Sequence, residues 1–217
     1  MARVRLGVLI SGRGSNLQAL IDACADPAFP AEVALVVSNQ PDAQGLNRAR
    51  AARIPVEVIN HRAFNAKEGF EAALDSVLDG YGIQLVCLAG FMRLLTPWFV
   101  ERWLDCLINV HPSLLPSFKG LDTHARVLEA GVRVTGCTVH FVRPAMDDGP
   151  IIVQAAVPVL AGDTPARLGE RVLEAEHRCY PLAVRLLTEG RVQVVNERVE
   201  IAGFRGPGIN AMLCPSG

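Results

Sequence analysis

Asn109 and His111 stand two residues apart in the run Asn109-Val110-His111-Pro112-Ser113-Leu114-Leu115-Pro116, and they are the side chains best suited to chemistry in this sequence. They close an apolar run that reads as a buried strand, so the two-residue period turns both the same way. That place is the carboxyl edge of a sheet, where open parallel sheets hold their ligands. Further on, Met146-Asp147-Asp148-Gly149-Pro150 has turn composition and offers a carboxylate that could reach the histidine. An amide can donate to an oxyanion, and an imidazole can give a hydrogen bond or a proton at the same centre. A nearby carboxylate favours the charged ring and fixes its orientation. These residue types suit transfer of an acyl group to an amine, with no covalent step on the protein. The same residues also fit plain turns, since geometry and not nearness in sequence makes a site.

A second candidate is Ser11-Gly12-Arg13-Gly14-Ser15-Asn16, a glycine loop between the first apolar run and the first helical pattern. Glycines let the backbone approach a ligand closely, and unpaired amides at a helix start favour an anion. The dinucleotide fingerprint needs a further glycine and an acid at the end of the second strand. Leu17 and the Ser38-Asn39 pair occupy those places, so the loop reads as a phosphate monoester site. The alternative is a tight turn in which Ser15 serves as the N-cap.

Other chemistries lack their patterns. His61, His124, His140 and His177 have no spacing that suggests a metal cage, and no metal is expected. Ser113 lacks the flanking glycines of a hydrolase nucleophile. The formal net charge is −1 and the basic residues are scattered, which argues against nucleic acid as a partner. No run approaches the about 18 apolar residues of a membrane span. The six cysteines form no Cys-x-x-Cys pair and fall mostly in apolar segments, as expected of a cytoplasmic protein.

The elements that must position these residues follow from periodicity. Val4–Ile10 reads as a buried strand and Ser15–Ala25 as a helix. Strands are expected at 33–37, 56–59, 83–89 and up to 110, with helices at 43–52, 67–81 and 97–103 between them. The alternation predicts an α/β fold, a mostly parallel open sheet with helices on both faces. Strand-like runs at 134–142 and 151–160 have no helix between them, which predicts a mixed or antiparallel extension toward the C-terminus. A long helix at 165–187 and a final strand pair within 191–201 complete the pattern. With half the residues apolar, one domain over 1–201 is expected, with a phosphate-binding half to about 105 and a loosely ordered tail at 202–217.

Several segments in this order resemble the phosphoribosylglycinamide formyltransferase family, folate-dependent enzymes of purine synthesis with a Rossmann-like fold. They are 10–18, then Leu88-Ala89-Gly90-Phe91-Met92-Arg93-Leu94-Leu95, then 109–116, 138–142 and 147–152. The resemblance implies formyl transfer from 10-formyltetrahydrofolate to glycinamide ribonucleotide. It implies that Gly14, Ser15 and Asn16 hold the ribonucleotide phosphate. Met92, Arg93, Leu94 and Leu95 would border the folate, with Lys67 on that side, and Asn109 would contact the formyl group. His111 would be the catalytic acid with Asp147 tuning it, and Glu176 would stand near the glycinamide end. It leaves a homodimer open. Asp148 stands where the family often has glycine, so two acids compete for the histidine; counting seven residues on from His140 selects Asp147. Methionyl-tRNA formyltransferase and formyltetrahydrofolate deformylase share the histidine motif, but the chain length argues against both. A noncatalytic phosphometabolite-binding module is the rival of another class.

Overall fold

The computed structural model describes residues 2–204 and Cys214, so most of the 202–217 tail lies outside the described residues. In chain order the elements are β1 Val4–Ile10, α1 Ser15–Ala25, β2 Ala31–Ser38, α2 Gly45–Ala51, β3 Val56–Val58, α3 Lys67–Gly80, β4 Leu85–Leu88, α4 Pro97–Arg102, β5 Leu107–His111, α5 Thr123–Glu129, β6 Val134–Phe141, β7 Ile151–Pro158, α6 Pro165–Thr188, β8 Val192–Val195 and β9 Arg198–Ile201. Seven strands make one sheet in the order β3-β2-β1-β4-β5-β6-β7. The first five are parallel, and β6 and β7 extend the sheet antiparallel.

The alternation of side chains along each strand builds two cores. Leu6, Val8 and Ile10 of β1 face one side with Leu17 and Leu20 of α1 and Val172 and Tyr180 of α6. Leu9 faces the other side with Leu74 of α3 and Phe99 of α4. Burial of each such side chain contributes about 1.5–3 kcal/mol, which is why strands apolar at every position settle in the middle. All four residues of β4 are buried, and β4 is the central strand. Tyr180 ties α6 to the sheet through its hydroxyl, which donates to Leu88 O at 3.0 Å and Ile108 O at 3.3 Å.

The chain leaves β1 toward β2 and β3, then crosses to β4 on the other side of β1. This reversal opens a crevice at the carboxyl ends of β1 and β4, the usual ligand position in such sheets. Ser11 N donates to Gly90 O across it at 3.2 Å.

Two features differ from the expectations, α5 and the cap of α1, and the expected final strand pair is placed more closely. The helix α5 was not anticipated, because seven residues give too little periodicity to separate it from a loop. The last strand pair does not join the main sheet but forms its own hairpin, with Asn196 at φ 50° and Glu197 at φ 56° making a two-residue turn. Gly14, not Ser15, is the N-cap of α1; it sits at φ 70° and Ser15 is the first helical residue, making no capping hydrogen bond.

Candidate active site

The β5 strand ends on Asn109, Val110 and His111, and its antiparallel register with β6 sets Asn109 opposite His140 and His111 opposite Thr138. The turn between β6 and β7 then folds Asp147 back over these residues. Asp147 Oδ2 lies 3.4 Å from His111 Nδ1, and Asp147 Oδ1 lies 3.9 Å from His140 Nε2. Asp147 also accepts from Gly120 N at 2.8 Å, while His111 Nε2 donates to Phe118 O at 2.9 Å. Both ring nitrogens of His111 therefore face acceptors. The backbone of Asp147 is left-handed, φ 50°, a conformation that a non-glycine residue holds at some cost. Asp148 points elsewhere, pairing with Lys119 at the surface.

His140 is almost wholly buried, and its Nδ1 donates to Phe141 O at 2.8 Å. Burial lowers its pKa below the ordinary histidine value, with Phe141 O and Asp147 opposing that shift. The neutral ring keeps a lone pair on Nε2, 3.4 Å from Asn109 Nδ2, so it can accept one amide proton and leave the other to a ligand. In the sequence His140 stands out neither as a metal ligand nor as a partner of Asn109. Its role as partner of Asn109 depends on the pairing register, which no local pattern reports.

These residues form one end of a cavity of about 810 Å³. Its wall is the segment Gly90 to Leu95, with Met92 71% and Leu94 62% exposed. Arg93 lies over the Phe70 ring at 5.7 Å. Volume and lining suit a flat, partly apolar molecule of folate size. His124 also lines the cavity and was not anticipated; burial, then His111, lowers its pKa. Lys67 does not line the cavity: it is exposed at the start of α3, the helix that supplies Phe70.

The glycine loop stands beside this cavity. Gly14 backs onto α2, where a Cβ would meet Gly45 Cα at 2.7 Å, and Gly45 N donates to Gly12 O at 2.9 Å. The first α1 amide with an intrahelical acceptor is that of Gln18, bonded to Gly14 O at 3.0 Å, so the amides before it are free for an anion. Asn16 is turned inward, its Nδ2 donating to Glu176 Oε2 at 2.7 Å. Its Oδ1 is buried without a partner among the described residues and can accept from a donor. Burial raises the Glu176 pKa to about 7, against a lowering by Asn16. Glu176 and Asn16 thus meet from α6 and α1, which the sequence reading placed in separate roles. Among the described residues, no group of three His, Cys, Asp or Glu could hold a metal ion, and no helix is long and apolar enough to cross a membrane.

Comparison with known proteins gives the family of the chain. The formyl transferase family profile matches residues 4–184. The trifunctional purine biosynthetic protein adenosine-3 of Gallus gallus is 53% identical over 192 residues, 88% of this chain and 19% of that protein. The phosphoribosylglycinamide formyltransferase of Escherichia coli K12 is 44% identical over 200 residues, covering 92% of this chain and 94% of the enzyme. The chain thus spans about a fifth of the avian relative's length and nearly all of the bacterial one. The crystal structure of glycinamide ribonucleotide transformylase 1 from Symbiobacterium toebii superposes with a TM-score of 0.90 at 49% identity, over 92% of this chain and 94% of that one.

Proposed function

This chain belongs to the formyl transferase family, and from that premise we propose that it carries the formyl group of 10-formyltetrahydrofolate to the amine of glycinamide ribonucleotide. The products are tetrahydrofolate and formylglycinamide ribonucleotide, and the step belongs to purine biosynthesis. The observation that carries the reading is the meeting of Asn109, His111 and Asp147 at one end of an apolar slot, beside a helix start with free amides.

The chemistry follows from those groups. The substrate amine attacks as a free base; a C–N bond forms, and the carbonyl electron pair moves onto the formyl oxygen. Asn109 Nδ2 donates to that oxygen, and a proton on His111 offsets its charge, with Asp147 holding the ring in place. Collapse of the intermediate returns the electron pair, breaks the bond to the folate nitrogen, and passes the amine's lost proton to that nitrogen. The amides at the start of α1 bind the phosphate, aided by Gly14 and Ser15, and Asn16 with Glu176 meets the ribonucleotide beyond it. The folate lies along Met92, Arg93, Leu94 and Leu95, with Lys67 outside the slot at most near its far end. The substrates are small molecules, and the six unpaired cysteines support a cytoplasmic setting.

The test is turnover by the purified chain. Formyltetrahydrofolate should disappear only when glycinamide ribonucleotide is present, with one formyl group gained per folate consumed. Release of free formate without the ribonucleotide would replace this reading by a deformylase. Binding of the ribonucleotide without any turnover would replace it by a noncatalytic module.

A further inference from the structure

The folate wall is an odd structure to keep its shape unaided. Residues 89–96 contain neither helix nor strand, and Met92 and Leu94 stand largely in solvent, so packing does not hold them. Its apolar anchors are few: Ala89 is buried, Leu95 is half-buried against the core, and Phe91 stacks on Phe70 with centroids 6.5 Å apart and planes 12° apart.

Polar ties hold its two ends. At the first, Ser11 Oγ donates to Asn39 Oδ1 at 2.6 Å, which fixes the hydroxyl and leaves a lone pair for Met92 N at 2.8 Å. At the second, Glu71 of α3 accepts from Thr96 N at 2.8 Å and from the Thr96 hydroxyl. Glu71 is 1% exposed and has no cation partner among the described residues. A carboxylate buried without a counter-charge is costly and persists where both oxygens are used as acceptors. Thr96 is also the N-cap of α4, so this tie sets where the wall stops and the helix begins.

We propose that Ser11 and Glu71 are positioning residues for the folate wall, holding 90–96 as a preformed slot before the pterin arrives. The proposal rests on the folate reading above. A slot already in its bound shape avoids the ordering cost at the moment of binding. Loss of either tie then weakens the folate while the ribonucleotide, bound at α1, is untouched by Glu71.

The experiment compares wild type with Glu71→Ala, Glu71→Gln, Thr96→Val and Ser11→Ala by calorimetry with tetrahydrofolate, steady-state kinetics, melting curves, and hydrogen exchange at Met92 and Thr96. Glu71→Ala and Ser11→Ala should each raise the tetrahydrofolate Kd about tenfold, the scale of one hydrogen bond to a fixed acceptor. For Glu71→Ala the folate KM should rise in step, with kcat at saturating folate and the ribonucleotide KM within about twofold, since a tie lost before binding costs ground state and transition state alike. Glu71→Gln, which keeps an acceptor for Thr96 N, should recover most of the affinity. If Glu71→Ala does not fold, Glu71→Gln and Thr96→Val carry the test through the Thr96 exchange rate and the folate Kd. An unchanged folate Kd beside a lowered melting temperature would make Glu71 a plain structural residue and overturn the proposal. So would equal rises in both substrate KM values. Failure of the wild type itself to bind tetrahydrofolate would instead remove the folate reading on which the proposal stands.

Discussion

The two ends of the cavity invert each other. At the β5–β6 end the polar groups are buried: His111 and His140 are 5% and 2% exposed, and both ring nitrogens of each face a polar neighbour. At the wall end the apolar groups are exposed, with Met92 and Leu94 facing open space. A buried, fully bonded polar cluster is preorganised for charge that develops in the transition state. An exposed apolar strip is preorganised for surface that a ligand will cover. On the proposed function the first region would serve the reaction and the second binding, so damage to them should appear in different kinetic constants.

The largest effect should come from the polar end. Asp147→Asn and His111→Ala should each lower kcat at least ~10²-fold, the usual scale of acid and oxyanion contributions. Asp148→Asn should be mild, because its carboxylate is occupied by Lys119 at the surface. Single-turnover rates for the two single mutants and the double mutant sharpen this. A double mutant little worse than the worse single one marks one functional unit, and effects that multiply would separate the two residues.

At the apolar end, Leu94→Asp should raise the folate KM by roughly the 1.5–3 kcal/mol of a leucine's burial and leave the ribonucleotide KM nearly unchanged. Since Leu94 is exposed, the melting temperature should hold. A matching loss in kcat would erase the contrast between the two ends.

A further effect concerns stability rather than turnover. Glu176 ordinarily titrates at 4.5, but in the folded chain burial moves it to about 7. Between those values the folded state binds more protons than the unfolded chain, so stability falls as pH rises through that window and levels off above it. The full shift corresponds to about 3 kcal/mol at most. Glu176→Gln should therefore match wild type more closely at pH 4.5 than at pH 8, where the variant should melt several degrees higher. A constant gap across pH would show that Glu176 is not held protonated.

Much of this organisation was legible in residue order. The strand–loop–helix at 4–25 and the apolar stretch that became central β4 are local patterns, and periodicity reads local patterns well. Asn109 and His111 were found because two positions on one strand share a face. What stayed hidden lies across long separations. The approach of His140 to Asn109 depends on antiparallel register over 31 residues, and the Ser11–Met92 tie spans 81. The resemblance implies that Asn16 helps hold the phosphate, and its backbone amide lies at the helix start that would do so. Its side chain turns inward because Glu176, 160 residues on, needs a donor there. Lys67, which the resemblance puts on the folate side, is exposed at the α3 start outside the cavity lining.

Position 147 sets two kinds of selection against each other. Its left-handed backbone would rest more easily with glycine or asparagine, while the carboxylate beside His111 can come only from aspartate at that reach. On the proposed function, selection for thermal endurance alone would favour glycine or asparagine there, and selection for turnover would favour aspartate.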